Sequence, residues 1–393
     1  MRAAQQDLNV DVLVQGAGIG GLTLAIALLQ RGYSVNVVER ANGLCEAGAG
    51  IWMATNPMQV FSQLGFADKI IAAGWMVKLL RLQDYRGFDI QVTDISESAK
   101  AFGFETIALH RSALQNVLFD QLAHNILFFG TEVRTLSQDK ESVTAQLTNG
   151  PRVNAKVVVG ADGINSRIRD HISLGGEKRY SGSSSYRAIA RCARLLPSKL
   201  EHEAYEIWGE GSRVGFSKLN SDDYYWYMTF DSQEGEAFSA EQMWSHAKRL
   251  FELYFPKWIR LLECTRPEEI LRTDISDLKP LKRWSSGRIG LIGDAAHATT
   301  PNLGQGGAMA VEDALELVRS FDETGLNAAA FQRFERLRRK KVNWTVSTSW
   351  MIGRVCHIKN PIARTLRNAL LMHTPQAFTR KQMMRLYSTH ASD

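Results

Sequence analysis

Three glycines near the N-terminus have the spacing of a phosphate-binding turn. In residues 16–21 (GAGIGG), Gly16, Gly18 and Gly21 satisfy the pattern G-x-G-x-x-G. In such a turn the first glycine allows a sharp bend, the second lets a pyrophosphate approach the backbone, and the third lets a helix pack closely on a sheet. Glu39 lies about 20 residues farther on, where an acidic side chain binds the ribose hydroxyls of an adenosine half. These positions predict a dinucleotide site and do not distinguish FAD from NAD.

A second glycine-rich run, residues 287–307, has the sequence GRIGLIGDAAHATTPNLGQGG. It contains Asp294 and ends where a helical pattern begins, at about Ala308. A loop that caps a helix in this way presents free backbone amides and the positive end of the helix dipole to an anion. A reduced flavin is such an anion, and a helix N-terminus favours its negative charge by up to about 2 kcal/mol. This run therefore suits an anionic redox cofactor.

The residues around the first motif predict the elements that hold it. Residues 11–14 (DVLV) are apolar and β-branched, as in a buried parallel strand. From residue 19 to residue 30 the apolar side chains recur at helical spacing, and Gly32 stands where a helix would end. Residues 34–39 (SVNVVE) predict a second strand. The opening of the chain is thus a complete βαβ unit.

The rest of the chain divides into segments that differ in their pattern of apolar and polar residues. A helix is expected from residue 111 to residue 122, and strands near 126–129, 143–147 and 153–159. Between about residues 180 and 284 apolar and polar residues alternate, with many Tyr and Trp, which predicts a second, mainly β unit. Glycine-rich apolar sequence returns beyond residue 288, and Lys-, Arg- and Leu-rich helical sequence follows residue 325.

A third motif makes a family resemblance specific. Residues 160–169 (GADGINSRIR) follow a buried strand, and the run from residue 287 continues to Glu312 and Asp313. In order and spacing, the three motifs resemble those of group A flavoprotein monooxygenases, the family of para-hydroxybenzoate hydroxylase, zeaxanthin epoxidase and tetracycline-inactivating monooxygenases. The resemblance covers roughly residues 10–320. Two positions depart from the family pattern, because Gln15 is polar and Gly290 is smaller than usual.

The resemblance implies an α/β fold in which one domain interrupts another. We expect a Rossmann-like FAD-binding domain of the GR2 type formed by residues 1–75, 100–179 and 285–325. A β-rich substrate domain formed by residues 76–99 and 180–284 would be inserted into it. A C-terminal helical segment, residues 326–393, would complete the chain.

The resemblance also implies which residues contact FAD. Asp294 would bind the ribityl chain, Asp162 would hold the flavin and nicotinamide regions in shape, and Glu39 with Arg40 would form the adenosine-side pair. The full set implied for the cofactor is Gly16, Gly18, Gly21, Glu39, Arg40, Arg111, Gln115, Asp162, Asp294, Pro301, Gly306 and Gly307. No catalytic base is identified, and the loop expected against the reactive face of the flavin comprises Pro301, Gly304, Gln305, Gly306 and Gly307.

Members of the family use NADPH or NADH as a transient co-substrate, form a flavin C4a-hydroperoxide with O2, and hydroxylate or epoxidise an aromatic, polycyclic or unsaturated small molecule. The choice between NADPH and NADH stays open. Such chemistry needs a closed pocket, because water would decompose the oxygenating species. An alternative function is a flavin-containing binding protein that sequesters a reactive intermediate without oxygenating it. Ligand-stimulated oxidation of NAD(P)H would exclude that alternative.

Candidates for the substrate pocket come from the strand-like segments of the β unit. Some lie on one face by the two-residue period of a strand, although aromatic side chains in strands more often fill a core. The candidates are Tyr186, Arg187, Trp208, Phe216, Tyr225 and Tyr227.

Charge is unevenly distributed along the chain. Residues 331–393 contain 13 Lys or Arg and only two acidic residues, although the net charge of the whole chain is +6. This basic tail is either a solvated helical face or, through the segments at residues 364–371 and 381–386, a surface for an anionic membrane. No secretory signal or membrane-spanning run is evident, so a cytoplasmic protein with, at most, peripheral membrane contact is expected.

The cysteines do not suggest a metal site or a disulfide framework. Cys45, Cys192, Cys264 and Cys356 lie far apart, without a C-x-x-C pair or a neighbouring histidine at ligand spacing. We expect reduced thiols, no metal and no nucleic-acid partner. Monomer and homodimer are both compatible with the sequence.

Overall fold

The computed structural model describes residues 7–44 and 49–389. Cys45, one of the four thiols considered above, lies outside these residues. Cys192, Cys264 and Cys356 are free cysteines. Within the described ranges, no group of three or more His, Cys, Asp or Glu side chains is arranged to hold a metal ion.

Eighteen strands are present in the described residues. In chain order they are β1 (Leu8–Gln15), β2 (Val35–Val38), β3 (Gly50–Met53), β4 (Gly74–Val77), β5 (Leu79–Asp84), β6 (Asp89–Asp94), β7 (Thr106–His110), β8 (Leu127–Phe128), β9 (Val133–Gln138), β10 (Val143–Leu147), β11 (Arg152–Gly160), β12 (Lys178–Arg191), β13 (Glu203–Trp208), β14 (Ser212–Lys218), β15 (Asp223–Asp231), β16 (Leu271–Leu278), β17 (Ser285–Ser286) and β18 (Ile289–Leu291).

Thirteen α-helices accompany these strands in the described part of the chain. They are α1 (Ile19–Gln30), α2 (Thr55–Gln63), α3 (Ala67–Ala72), α4 (Ser96–Phe102), α5 (Arg111–Phe119), α6 (Arg167–His171), α7 (Ala240–Tyr254), α8 (Ile259–Glu263), α9 (Asp294–His297), α10 (Gly306–Thr324), α11 (Ala328–Cys356), α12 (Pro361–Met372) and α13 (Gln376–Tyr387).

The central sheet carries the three sequence motifs. Its strands run in the order β17-β18-β11-β1-β2-β8, and β10 and β9 extend it from β11. β1 is parallel to both β11 and β2, and β11 is parallel to β18. All four residues of β2 and the last four of β1 are buried, as expected for parallel strands covered on both faces. The carboxyl ends of β1, β11 and β18 therefore meet at one edge, where each is followed by a motif.

A second sheet forms the strand-rich insert. Its seven strands run in the order β16-β12-β15-β14-β13-β5-β6, and they pair antiparallel except where β13 meets β5. α7 and α8 cover one face, where aromatic side chains such as Trp226 and Phe251 form a separate core. The opposite face contacts the small sheet β3-β7-β4, since Trp52 Nε1 donates a hydrogen bond to Ser217 Oγ over 2.9 Å.

The C-terminal helices pack against both the nucleotide-binding part and the strand-rich insert. α11 is 29 residues long, begins with an Asn327 side-chain cap and packs against α10. α12 packs on β6, the edge strand of the second sheet, and α13 packs on α2 and α4. The parallel sheet, the strand-rich insert and the C-terminal helices confirm the predicted α/β fold class. The limits assigned to each domain stay a prediction.

Candidate active site

The first glycine motif joins β1 to α1, and each glycine has different surroundings. Gly16 has a φ of +110°, and a Cβ there would lie 2.3 Å from the carbonyl oxygen of Ala161. A Cβ on Gly21 would lie 1.9 Å from the carbonyl oxygen of Gly16. A Cβ on Gly18 would meet no atom of the described protein within 4 Å. Packing thus requires glycine at positions 16 and 21, whereas Gly18 leaves the turn open in front of the α1 N-terminus.

Glu39 follows β2 and stabilises this turn. Its carboxylate accepts hydrogen bonds from the backbone N–H groups of Ala17, at 2.8 Å, and Ala41, at 2.9 Å. Arg40 is exposed beside it. The predicted adenosine-side pair therefore lies at the carboxyl end of β2, next to the glycine turn.

Asp162 organises the second motif. Its carboxylate accepts hydrogen bonds from Ser166 Oγ at 2.5 Å, from the backbone N–H groups of Arg167 and Ile168 at 2.8 and 3.1 Å, and from Gln15 Nε2 at 3.1 Å. Gln15 is therefore satisfied although it is buried, since its Oε1 also accepts from the backbone N–H of Val133 at 2.8 Å. This polar departure from the family pattern ties the end of β1 to Asp162.

The exposed side chains of Arg111 and Asp294 lie near each other between the first and third motifs, and we call the solvent-accessible space beside them the cleft. Asp294 starts α9, is exposed to the cleft, and has no hydrogen-bond partner within the described residues. Desolvation by the surrounding protein raises the pKa of its carboxyl, while His297 and Arg111 act in the opposite direction. Gln115, one turn after Arg111 on α5, has a buried Oε1 that no described group satisfies. A ligand in this cleft would find a carboxylate, a guanidinium and an amide oxygen available.

A buried ionic network fixes the backbone next to Asp294. Asp313 accepts hydrogen bonds from the backbone N–H of Gly293 at 3.0 Å and from Arg338 Nε at 2.8 Å, and it lies 2.6 Å from His297 Nε2. Burial alone would raise the pKa of Asp313, but His297 and Arg338 hold it well below the usual range. The sequence did not reveal that Arg338, on α11, completes this network.

Glu312 extends the network to the start of α10. Its carboxylate pairs with Arg338 and with Lys341 at 2.7 Å, and it accepts a hydrogen bond from Asn56 Nδ2 at 2.5 Å. The same amide donates to Oε1 of Gln305 at 3.0 Å. Gln305 is buried and directly precedes α10, so the network fixes the helix N-terminus that faces the cleft. In the sequence, this ionic network is indicated by two adjacent acidic residues, 312 and 313, inside an apolar helical pattern.

The loop predicted to face the flavin is also fixed from both sides. Pro301 opens a turn of 3-10 helix, and Gly304 has a φ of +63°, which suits glycine. Asn302 donates to Thr300 Oγ1 at 2.9 Å and to the carbonyl oxygen of Ser349 at 2.7 Å, and accepts from Arg213 of β14. α11 and the insert thus position the segment that leads to Gly306 and Gly307.

The structure separates the six substrate-pocket candidates into two groups. Tyr186 and Phe216 lie in the core between the second sheet and α7–α8. The Tyr186 hydroxyl is 3.0 Å from His246 Nδ1, and the Phe216 ring stacks on Tyr205 at 5.1 Å between centroids. Their position corrects the expectation for these two residues, because their strands turn them away from the nucleotide-binding sheet.

Arg187, Trp208, Tyr225 and Tyr227 lie on the opposite face. Tyr225 contacts the backbone at Gly50, since a Cβ there would lie 2.4 Å from its ring. Trp208 Nε1 donates to Glu206 at 2.6 Å, and the Tyr227 hydroxyl donates to the same carboxylate. Burial, reinforced by Glu206, raises the pKa of Tyr227 well above its ordinary value.

Arg187 is unlike the other arginines of this sheet face. It is half-buried, and within the described residues it makes no hydrogen bond or ion pair. Its charge acts on the Tyr225 hydroxyl, as does that of Arg111 from α5. Arg213 instead donates to Glu206 at 3.1 Å and to Thr229 at 3.1 Å. Arg187 is therefore the cation of this face that is available to a ligand.

Comparison with known proteins identifies the family. A family model described as an FAD binding domain matches residues 9–336. The chain belongs to the group A FAD-dependent monooxygenases. It is 33% identical to the aurachin C monooxygenase/isomerase of Stigmatella aurantiaca, over 92% of this chain and 94% of that protein. It is 30% identical to the 2-heptyl-3-hydroxy-4(1H)-quinolone synthase of Pseudomonas aeruginosa, over 96% of this chain and 98% of that protein.

A solved member of the family has the same architecture. The crystal structure of Klebsiella pneumoniae HpxO complexed with FAD and uric acid superposes with a TM-score of 0.89 at 25% identity, covering 98% of this chain and 97% of that chain. This flavoprotein monooxygenase therefore binds FAD. The glycine turn, Asp294 and Gln115 fit such a group, because they offer an open backbone, a carboxylate and an amide oxygen that no other described side chain uses.

Proposed function

We propose that the enzyme uses NAD(P)H and O2 to hydroxylate an aromatic nitrogen heterocycle of the 4-quinolone class that carries an apolar side chain. The observation that carries the proposal is the half-buried Arg187, which lacks a partner among the described residues and lies beside the aromatic side chains Tyr225 and Tyr227 on the sheet face that contacts β3. The name of one bacterial relative supports this substrate class, because that protein is a 2-heptyl-3-hydroxy-4(1H)-quinolone synthase. The name of the other, an aurachin C monooxygenase/isomerase, supports a monooxygenase reaction.

FAD, reduced by NAD(P)H, would supply the oxygen-activating chemistry, delivering one atom of O2 to the substrate while the other leaves as water. The glycine turn, Glu39 and Asp294 would hold this cofactor. Gln305, held by Asn56, fixes the N-terminus of α10, and this helix end would favour negative charge on the cofactor.

The remaining residues bind and shield the substrate. The aromatic ring of the substrate packs against Tyr225. The Arg187 guanidinium binds a substrate oxygen, which gains negative charge as the substrate ring becomes electron-rich. The hydroxyl of Tyr227 already donates its proton to Glu206. Tyr227 therefore forms part of the pocket wall and does not transfer a proton to or from the substrate. These groups exclude water from the reacting atoms.

The proposal predicts ligand-stimulated oxidation of NADPH or NADH by a panel of 4-quinolones with alkyl chains. Replacing Arg187 by methionine should raise KM at least tenfold, because the variant keeps the packing and removes the charge. Tyr186→Phe is the matched control, since that hydroxyl lies in the core behind the sheet.

Equal KM values for the Arg187→Met variant and the parent would show that Arg187 does not bind the substrate. Tight binding of a quinolone without any stimulated oxidation of NAD(P)H would instead favour a non-oxygenating binding protein.

A further inference from the structure

Four of the five large apolar side chains of α12 are exposed, and the fifth, Leu371, packs against a small buried cluster around Trp208. Ile362, Leu366 and Leu370 are 79%, 61% and 65% exposed, respectively. Because side chains four residues apart lie on one face of a helix, these three form a continuous apolar stripe along α12. Burying such a stripe in the interior is the usual arrangement for a surface helix, and here the stripe faces solvent.

The charged side chains of the same helix point inward. Arg367 is buried and donates hydrogen bonds to the carbonyl oxygens of Val355 and Cys356 at 3.0 and 3.2 Å. Its guanidinium also lies 4.4 Å from the centroid of a Trp208 ring. Arg364 forms an ion pair of 2.6 Å with Glu210. The arginines thus anchor α12 to the protein, and this anchoring is what turns the apolar stripe outward.

Two more exposed apolar side chains follow the stripe along the chain. Met372, at its end, and Phe378, in α13, are 59% and 56% exposed. Of the ten large hydrophobic side chains that are exposed in the described residues, six lie between residues 351 and 378. A concentration of this kind marks an interaction surface, whereas single exposed apolar residues do not. We call the stripe of α12 together with Met372 and Phe378 the apolar face.

The charge around the apolar face selects its partner. Residues 336–392 contain no Asp or Glu, and the exposed Arg354 and Lys381 form no ion pair within the described residues. Lys359 and Arg380 are also exposed, and they pair with Asp231 and Glu97 of neighbouring elements. A second copy of the chain docked through the same face would bring two basic surfaces together, which costs electrostatic free energy. An anionic lipid surface attracts each basic residue near it, and its acyl boundary accepts the apolar side chains.

We propose that the apolar face rests on an anionic phospholipid bilayer, with Ile362, Leu366 and Leu370 in the acyl boundary. The contact is interfacial, since no helix in the described ranges is long and apolar enough to cross a membrane. It goes beyond the proposed reaction and does not depend on it, because lipid binding is measured without substrate or turnover.

Flotation of the FAD-bound enzyme with vesicles tests the proposal. We expect binding to vesicles of phosphatidylcholine and phosphatidylglycerol in equal amounts, and at least tenfold weaker binding to phosphatidylcholine alone or at high salt. The combined variant Ile362→Ser, Leu366→Ser and Leu370→Ser should bind the anionic vesicles at least tenfold more weakly. Its FAD content and unfolding midpoint should match the parent, since the three side chains are exposed.

Leu253→Ser is the matched control, because Leu253 on α7 is 65% exposed, as is Leu370. It should bind vesicles as the parent does. Parent enzyme that fails to float with anionic vesicles, or a triple variant that floats as well as the parent, would overturn the proposal. A dimer in sedimentation that the triple variant converts to monomer, without vesicle binding, would assign the apolar face to a second copy instead.

Discussion

Replacing Gly18 by alanine separates cofactor binding from folding in the first glycine motif. A Cβ at this position meets no described atom within 4 Å, and Gly18 has an ordinary φ of −74° at the N-cap of α1. Alanine reduces the entropy of the unfolded chain, which stabilises by about 0.4–1 kcal/mol, and it is a poorer N-cap than glycine by a similar amount. The free energy of unfolding of the apoprotein should therefore change by less than about 1 kcal/mol.

FAD affinity should respond quite differently. The added methyl group would stand where the pyrophosphate approaches the backbone, and losing one charge-assisted hydrogen bond there costs about 1.5–3 kcal/mol. The Kd for FAD, measured by quenching of flavin fluorescence, should rise by about tenfold to a hundredfold.

Gly21→Ala provides the contrasting variant. Its Cβ would lie 1.9 Å from the carbonyl oxygen of Gly16, so α1 must move away from the sheet. Overpacking of this kind costs about 1–3 kcal/mol, which denaturant unfolding of the apoprotein will detect. The reasoning is refuted if Gly18→Ala destabilises the apoprotein as much as Gly21→Ala does, or if it leaves the Kd for FAD unchanged.

Three further predictions concern the third motif and the network behind it. Asp294→Ala should lower FAD affinity at least tenfold with an unchanged unfolding midpoint, because no described group depends on this carboxylate; a fully yellow purified variant would contradict this. Arg338→Met should cost about 3–5 kcal/mol in denaturant unfolding, because it leaves Glu312 and Asp313 buried without their shared cation. The exposed Arg336→Met on the same helix should cost less than about 0.5 kcal/mol, and equal losses would argue against the network. Both carboxyls have lowered pKa values when folded, so their stabilisation is complete above an ordinary carboxyl pKa of about 4 and is lost on acidification. The unfolding free energy should thus fall progressively as the pH drops below about 5, less steeply in Asp313→Asn than in the parent, and parallel pH profiles would count against this assignment.

Local patterning predicted the elements of the nucleotide-binding sheet well. The helix expected over residues 19–30 is α1, because apolar spacing and the following glycine mark both ends. The buried runs at residues 11–14 and 153–159 lie within β1 and β11. These signals depend on near neighbours in the chain, which a single sequence displays directly.

Long-range strand pairing decides which of the six pocket candidates face the cofactor domain, and the role of the four on that face stays a prediction. The two-residue period correctly places Tyr225 and Tyr227 on one face of β15, but it does not say which face meets the cofactor domain. That depends on how β12, β14 and β15 pair, and the pairing turns Tyr186 and Phe216 toward α7 and α8. The pairing of Asp313 with Arg338, 25 residues away on another helix, was equally invisible in the sequence.

The orientation of α12 shows the same limit. Its sequence combines apolar and basic residues, and either set is able to face the protein. Only the contacts of Arg364 and Arg367 show that these basic side chains lie inside, while Leu366 and Leu370 lie outside.

The fate of molecular oxygen decides whether the enzyme oxygenates a quinolone. The FAD-bound enzyme would be mixed with NADPH or NADH, a 2-alkyl-4-quinolone and isotopically heavy O2, and the product would be examined by mass spectrometry. We expect one heavy oxygen atom to enter the product for each NAD(P)H oxidised, while the other enters water. Oxidation of NAD(P)H that yields only hydrogen peroxide with every member of the quinolone panel, and no labelled product, would contradict it.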